Sequence, residues 1–259
     1  MKELVIDVGN SNVVLAKFNN GQLIQKARFI SKTLDHGVAL TEALLDEHWP
    51  VEIEGSDVGQ AIYSSVVPSI DAAFFRFLET KWKLKPIHLD STVYQKLDLD
   101  VVSPEEIGSD LVANAYAGLH LYQTSCIIVD FGTALTITGV DFAERRITGV
   151  TIAPGLRSAV QALFLQAEKL PHVPLEFPGK VQGQNTIHAI QSGILWGYNG
   201  MVRFMLDAFQ QEMPQKATKI ATGGFSHILD HLSSAFDVIN PNLTLEGLRL
   251  IGKKINNTG

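Results

Sequence analysis

Ile6-Asp7-Val8-Gly9-Asn10-Ser11 (residues 6–11) and Val129-Asp130-Phe131-Gly132-Thr133-Ala134 (residues 129–134) are two copies of one pattern, about half a chain apart. In each copy an apolar run predicts a buried strand, which is followed by an acidic residue, a glycine and a hydroxyl-bearing turn. A repeated strand–turn unit is typical of a duplicated fold. The sequence therefore predicts two related lobes, residues 1–115 and 116–259, with a ligand cleft between them.

The segments around the first copy predict the type of sheet. Val13–Phe18 and Leu23–Ile30 are apolar runs joined through Asn19-Asn20-Gly21, and Asn-Gly between two such runs is a strong hairpin signal. Segments with helical spacing then alternate with a strand-like run, at residues 39–49, 61–67 and 70–82. A hairpin followed by alternating helix and strand indicates an α/β fold with mixed sheets covered by helices.

Composition excludes several classes of partner. The 259 residues are 46% apolar and carry a formal net charge of −6, so the chain can bury a sizeable core but has no overall field for nucleic acid or an anionic membrane. Its single cysteine, Cys126, cannot form an intrachain disulfide, and its apolar neighbours predict a buried strand position. Met1-Lys2-Glu3 enters a strand at once without a targeting pattern, so we expect a cytoplasmic protein.

Both turns have the chemistry of a phosphate site. Glycine lets the backbone approach a phosphate closely, turn amides donate to its oxygens, and Asn10 and Ser11 add side-chain donors. A carboxylate at the strand end, such as Asp7, would hold Mg²⁺ through water. An ordinary polar turn with a capping aspartate explains one copy equally well, and the second copy favours phosphate binding.

The segment Gly108-Ser109-Asp110-Leu111 precedes a well-patterned helix at residues 112–122. Asp110 has two interpretations. As a helix-start carboxylate it would be stabilised by the positive end of the helix dipole. As a general base it would take a proton from a substrate hydroxyl that faces a bound γ-phosphate.

Two further turns and the start of a long helix each leave two interpretations open. Pro154-Gly155 either places a helix start against an anion or makes a sharp strand-to-helix corner. Gly223-Gly224, before Phe225, either admits a flat ligand such as adenine or simply connects a strand to a helix. Thr186 either contacts a ligand or is the N-cap of a long helix from about residue 185 to residue 209. The chain has no P-loop, no Gly-x-Gly-x-x-Gly after a strand and no zinc-ligand spacing.

In order and spacing, these motifs resemble the type III pantothenate kinases nearly end to end, from Val5 to Leu250. The matching segments include the two turns, Gly108-Ser109-Asp110, Ile152-Ala153-Pro154-Gly155, Lys169-Leu170-Pro171, Asn185-Thr186, Ala221-Thr222-Gly223-Gly224 and Leu243-Thr244-Leu245-Glu246-Gly247-Leu248. The resemblance implies the duplicated, actin-like (ribonuclease H-like) fold of sugar kinases, heat-shock ATPases and actin. It also implies ATP-dependent phosphorylation of pantothenate, the first step of coenzyme A synthesis, by a homodimer.

The resemblance also assigns roles by position. Asp110 would be the proton acceptor, Asp130 would bind a monovalent cation (K⁺ or NH₄⁺), and Mg²⁺ would bridge the ATP phosphates. The residues implied to bind ATP are Asp7, Val8, Gly9, Asn10, Ser11, Asn12, Val13, Val14 and Thr133. The residues implied to contact pantothenate are Val101, Gly108, Ser109, Asp110, Leu111 and Thr186.

The chain departs from the family chiefly at positions that would bind the acid substrate rather than at those that would bind phosphate. The family has an arginine for the pantothenate carboxylate where this chain has Leu111, and a pocket tyrosine where it has Val101. Val150 replaces a preferred glycine, and Leu135 alters the second phosphate turn. A pantothenate kinase, a kinase for another small hydroxyl compound and a non-catalytic or regulatory nucleotide-binding relative all fit this pattern. Arg157 is a candidate replacement for the missing arginine.

Overall fold

The computed structural model describes residues 1–31, 42–166, 173–224 and 231–258. Its strands are β1 (Lys2–Val8), β2 (Asn12–Asn19), β3 (Gln22–Ile30), β4 (Gln60–Ser65), β5 (Ile87–His88), β6 (Cys126–Phe131), β7 (Ala134–Asp141), β8 (Arg146–Pro154), β9 (Thr218–Gly223) and β10 (Val238–Ile239). Its α-helices are α1 (Glu42–His48), α2 (Pro68–Trp82), α3 (Ser91–Tyr94), α4 (Ser109–Tyr122), α5 (Leu156–Gln166), α6 (Thr186–Glu212) and α7 (Leu243–Thr258). A short 3₁₀ turn occupies Ser233–Ala235.

The first sheet has the strand order β3-β2-β1-β4-β5. β1 pairs antiparallel with β2 and parallel with β4, so the sheet is mixed as predicted. The β2–β3 hairpin is confirmed: Asn20 and Gly21 both have positive φ angles, of 49° and 84°. Two consecutive positive φ angles fit a type I′ turn, whose twist matches that of the flanking strands.

The second sheet repeats this arrangement with the order β10-β9-β6-β7-β8. β6 pairs antiparallel with β7 and parallel with β9, and β9 pairs parallel with β10. Each sheet therefore places its first strand at the centre, with a hairpin on one side and parallel strands on the other. The two copies of the strand–turn pattern lie on these central strands, which confirms the duplication.

Each sheet has its own apolar core. In the first, β1, β2 and β4 contribute Ile6, Leu15 and Tyr63, which pack with Phe74 and Leu78 of α2. In the second, the core includes apolar residues of β6, β7 and α6, among them Val129, Ile137 and Val202. Cys126 is fully buried on β6, and burial raises the pKa of its thiol to about 12, which keeps the thiol protonated. The predicted structural role of this cysteine is confirmed.

The described residues form two compact units: residues 1–121, 144–146 and 242–259, and residues 122–143 and 147–241. The C-terminal helix α7 belongs to the first unit. Gly247 allows the close approach, since a Cβ there would lie 2.0 Å from the carbonyl oxygen of Ala113 on α4. The Thr244 hydroxyl also donates to the side-chain oxygen of Asn114, at 2.8 Å.

Two predicted element boundaries change. Pro68 does not merely close the preceding strand, since β4 ends at Ser65 and Pro68 starts α2, where its fixed φ and missing N–H suit a helix start. The helix predicted from residue 112 begins earlier, at Ser109, and so includes Asp110 in its first turn. Residues 39–41 of the first predicted helix lie outside the described residues.

Among the described helices, none combines the length and the apolar character needed to cross a membrane.

Candidate functional site

The first turn is held rigidly at the end of β1. The Gly9 amide donates to the Asn12 carbonyl, at 2.9 Å, and closes the hairpin. Ser31 then supports the turn from the end of β3: its hydroxyl donates to the Gly9 carbonyl at 2.6 Å, and its amide donates to the Ser11 carbonyl at 3.0 Å. The sequence analysis missed Ser31, because a serine 22 residues away carries no local signal that it braces this turn.

Three valines flank this turn on β1 and β2. Val8 is opposite Val13 in the β1–β2 pairing, and Val14 is opposite Asp7. The side chains of Val8, Val13 and Val14 are all buried, at 1%, 0% and 9% exposure. Any contact of these three residues with a ligand would therefore fall on backbone atoms, whereas Asn10 is exposed at the tip of the turn.

A pair of serines connects the Asp7 turn to the start of α4. Ser64 is opposite Asp7 in the parallel pairing of β1 with β4, and its hydroxyl lies 3.4 Å from the Asp7 carboxylate. The same hydroxyl shares a hydrogen bond of 2.8 Å with the Ser109 hydroxyl. Both serines are buried. The first unit thus brings Asp7 and the segment Gly108-Ser109-Asp110 together, as the base hypothesis requires.

Asp110 occupies the first turn of α4 in an environment that favours its protonated form. Its carboxylate accepts a hydrogen bond from the Leu111 amide, at 2.9 Å, and lies over Gly108, where an added Cβ would be 2.5 Å from Oδ1. Burial raises the pKa of Asp110, and the backbone hydrogen bonds only partly oppose this shift. Burial first, and then the Asp110 charge, also raise the pKa of Tyr94. A carboxyl with a raised pKa is suited to accept a proton near neutral pH.

The two substrate-side departures differ in their surroundings. Leu111 is buried, with 6% exposure, so an aliphatic side chain occupies the position where the family has its arginine. Val101 is half-buried in the loop before α4. Hydrogen bonds of nearby residues hold that loop in place. The Asp100 amide donates to the Arg145 carbonyl at 2.7 Å, and the Arg145 guanidinium donates to the Asp98 carboxylate, also at 2.7 Å.

The second turn resembles the first but is one residue shorter, since Phe131 pairs with Leu135 where Val8 pairs with Val13. The Gly132 amide donates to the Ala134 carbonyl at 3.1 Å. Asp130 is opposite Thr222 on β9, just as Asp7 is opposite Ser64 on β4. The Thr222 hydroxyl is buried without a hydrogen-bond partner among the described residues. A buried hydroxyl without a partner is costly, so its position beside a carboxylate is suited to a ligand that the protein itself does not supply.

Two glycines fit tightly against this turn. Gly223, with a φ of 96°, would place a Cβ 2.6 Å from Oδ1 of Asp130. Gly155 would place one 2.3 Å from the Thr133 carbonyl oxygen, and its own amide donates to that oxygen at 3.1 Å. Ser158 of α5 donates to the same carbonyl, at 2.9 Å. Pro154-Gly155 therefore does more than turn the chain: it fixes the backbone of Thr133, whose side chain is exposed.

Thr186 is not the N-cap of α6. The cap is Asn185, whose side-chain oxygen accepts from the His188 amide at 2.9 Å, and Thr186 is the first helical residue. Its exposed side chain lines a groove of about 640 Å³ together with Leu163 and Gly183. Thr186, Asp130 and Thr133 all belong to the second unit, as does Arg157, which is exposed in the first turn of α5. Lys169-Leu170-Pro171 and Phe225 lie outside the described residues.

Known proteins resemble this chain in sequence and in fold. A family model described as type III pantothenate kinase matches residues 3–208. The chain is similar to a conserved Campylobacter jejuni protein, described as a proposed Baf family transcriptional activator, at 19% identity and a TM-score of 0.63, covering 98% of this chain and 99% of that one. It is also similar to the ethanolamine utilization protein EutJ from Carboxydothermus hydrogenoformans, at 14% identity and a TM-score of 0.53, covering 97% and 90%. At these identities the likeness shows the fold alone, which is the predicted actin-like α/β fold.

Proposed function

The chain belongs to the type III pantothenate kinase family, and from that premise we propose that it transfers the γ-phosphoryl group of ATP to the primary hydroxyl of pantothenate. This reaction yields 4′-phosphopantothenate and ADP and is the first step of coenzyme A synthesis. Membership of the family supports a kinase that uses ATP and a divalent cation. The observation that carries the proposal further is the half-buried Asp110 carboxyl at the start of α4, with its raised pKa and its link to the Asp7 turn through Ser109 and Ser64.

Asp110 acts as the general base in this proposal. Its raised pKa lets the carboxylate accept the proton of the substrate hydroxyl as the oxygen bonds to phosphorus and ADP departs with the electrons of the broken bond. The Leu111 amide holds Oδ1 of Asp110, so the proton would go to the other carboxylate oxygen. Catalysis of this type relies mainly on positioning and on charge stabilisation.

The two turns supply the nucleotide contacts. The Asp7–Asn12 turn presents the exposed Asn10 and the half-buried Ser11 and Asn12, and Thr133 presents an exposed hydroxyl. The tight glycine hairpins fit a close approach by phosphate, because a side chain at Gly9 or Gly132 would press on the backbone of its own turn. Asp7, half-buried at the strand end, would contribute to holding Mg²⁺. That ion neutralises charge on the ATP phosphates when it is bound.

Asp130 is the proposed ligand of the monovalent cation. The donor set fits K⁺ or NH₄⁺, since the carboxylate of Asp130 lies in the register of Thr222, whose buried hydroxyl lacks a partner among the described residues. Gly223 keeps the space beside the Asp130 carboxylate free of a side chain. A bound cation would satisfy the Thr222 oxygen and offset negative charge near the second turn.

The proposal must account for pantothenate recognition with Leu111 at the position where the family has an arginine. Gly108, Ser109 and Leu111 would form one wall of the substrate site, with Val101 and Thr186 as further contacts. An arginine–carboxylate contact is worth about 1.5–3 kcal/mol, so its absence predicts a weaker hold on the acid group unless Arg157 replaces it. We also propose that the protein is a homodimer located in the cytoplasm.

The leucine at position 111 also supports a second candidate function. A buried aliphatic residue where the family binds a carboxylate suits a regulatory or non-catalytic protein that retains nucleotide, or a kinase for another small alcohol. The retained, half-buried Asp110 favours catalysis, because a desolvated carboxyl costs stability and a non-catalytic protein gains nothing from it.

The test is a coupled ADP-release assay with pantothenate, Mg-ATP and K⁺, run on the unmodified chain and on Leu111→Arg. Pantothenate-dependent turnover in the unmodified chain supports the proposal, and Leu111→Arg should then lower the KM for pantothenate. Turnover only in Leu111→Arg would mean a competent phosphoryl-transfer site with another substrate. Silence in both variants, with Mg-ATP binding intact by calorimetry, would support the non-catalytic function.

A further inference from the structure

One groove of the second unit is not part of the proposed kinase site. It is a groove of about 800 Å³ between the C-terminal half of α6, the start of β9 and the segment after the 3₁₀ turn. We call it the α6 groove and define it by Arg203, Asp207, Lys216, Lys219, Phe236 and Asp237. This volume is within the range of small-molecule sites, about 300–1,000 Å³.

The α6 groove lies at the opposite end of β9 from the Asp130 turn. Lys219 lies near the start of β9 and pairs with Ile127 of β6. Thr222 and Gly223 end the strand, where they pair with Asp130 and Phe131. Lys219 and Gly223 are four residue steps apart on an extended strand, a distance of about 13 Å. A ligand in the α6 groove would therefore be separate from one at the second turn.

Two of its three cations lack a carboxylate partner among the residues described in this unit. Arg203 bonds only neutral groups: the Asn199 side-chain oxygen at 2.9 Å, the His231 carbonyl at 2.9 Å and the Ser234 hydroxyl at 3.2 Å. Lys216 is exposed, and no ion pair is found for it there. Only Lys219 is paired, with Asp207 at 3.2 Å. On a chain with net charge −6, this local positive surplus favours an anion.

One side of the groove is apolar. Phe236 and Ala235 are half-buried there, and behind them the groove meets Leu206 and Met213 of the core. The ring of Phe236 is fixed by an edge contact with Phe131, at 6.0 Å between centroids. The remaining carboxylate, Asp237, keeps its negative charge and accepts a hydrogen bond from the Lys219 amide at 2.8 Å. The groove therefore carries three cationic and two anionic side chains.

We propose that the α6 groove binds a small amphipathic organic anion. Its apolar body would pack on Ala235 and Phe236, and its anionic group would be bound by Arg203 and Lys216. The guanidinium of Arg203 is already oriented by three neutral acceptors, so little ordering is needed when the anion binds. This site is independent of the phosphoryl-transfer chemistry.

The test uses 8-anilinonaphthalene-1-sulfonate as a fluorescent probe on the full chain. We expect one saturable site that excess Mg-ATP does not displace. Lys216→Gln should raise the Kd about threefold, since this lysine is exposed, and the double variant Lys216→Gln/Arg203→Gln about tenfold or more. Lys180→Gln, an exposed lysine of the same unit outside the groove, is the matched control and should leave the Kd unchanged.

The Lys216 side chain is exposed and forms no hydrogen bond or ion pair with the described residues, so its substitution tests the site without a folding defect. Thermal melts followed by circular dichroism check the folding of the double variant. The proposal is overturned if the probe does not bind, if Mg-ATP displaces it, or if the double variant binds it as tightly as the unmodified chain. Equal affinity for the uncharged N-phenyl-1-naphthylamine would also overturn it, because the site would then not select an anion.

Discussion

Ser64 and Ser109 share a hydrogen bond of 2.8 Å between their hydroxyl oxygens, and this contact joins the end of β4 to the start of α4. The two residues are 45 positions apart in the sequence and both are buried. Because Ser64 also faces the Asp7 carboxylate and Ser109 precedes Asp110, the pair fixes the proposed phosphate turn relative to the proposed base. The serines act through the groups they hold, and so they are positioning residues.

Replacing Ser64 by alanine should weaken both stability and turnover. The substitution leaves the buried Ser109 hydroxyl with only the long, 3.4 Å contact to the Ser65 carbonyl, so we expect a loss of about 1–2 kcal/mol in the free energy of unfolding. Urea unfolding measures this loss, and kinetics should show kcat falling more than the KM for ATP rises. Ser56→Ala, at an exposed serine of the same unit, should change the free energy by less than about 0.5 kcal/mol. Equal effects in the two variants would contradict the positioning role.

Replacing Asp110 by asparagine should abolish turnover and stabilise the fold. Loss of a general base costs about 10²–10⁴-fold in rate. Burial raises the pKa of Asp110 in the folded protein above its unfolded value, so its ionisation destabilises the fold as pH rises from about 4 through the folded pKa. Asparagine keeps the acceptor for the Leu111 amide without that charge.

The measurement is kcat against pH together with thermal unfolding at acid and neutral pH. The kcat of the unmodified chain should fall as pH decreases through the raised pKa. The melting temperature of Asp110→Asn should exceed that of the unmodified chain at neutral pH, and the difference should shrink at pH 4. A variant that is both active and less stable at neutral pH would rule out Asp110 as the desolvated base.

Replacing Gly108 by alanine should displace the Asp110 carboxylate. The new Cβ would lie 2.5 Å from Oδ1, and the end of a side chain moves more easily than the backbone. We therefore expect turnover to fall about 10²-fold through misplacement of the base, with a small change in stability. Steady-state kinetics and a urea melt on the same preparation check this. A large loss of stability with kcat unchanged would show instead that Gly108 serves the backbone of the loop.

The sequence predicted the parts of this molecule that local pattern determines. Apolar runs ending in Asp-x-Gly located both central strands and their turns, and Asn20-Gly21 located the hairpin. It could not predict the contacts of Ser31 or Ser64, since serine is common in turns and strands and its partner depends on tertiary register. Nor could it place α7: its apolar face indicates burial, but the close approach at Gly247 to Ala113 appears only in the folded chain. The lobe boundary at residue 115 stays a prediction.

Replacing Gly155 by alanine should disrupt the second turn. A Cβ there would lie 2.3 Å from the Thr133 carbonyl oxygen and 2.4 Å from that of Gly132, and both are backbone atoms that cannot move without opening the turn. We expect a loss of about 1–3 kcal/mol in stability and at least tenfold weaker Mg-ATP binding, measured by urea unfolding and calorimetry. Gly149→Ala, on the preceding strand β8, is the matched control, because a Cβ there meets nothing within 4 Å. If Gly155→Ala bound Mg-ATP as tightly as Gly149→Ala, Thr133 and its turn would have no part in holding the nucleotide.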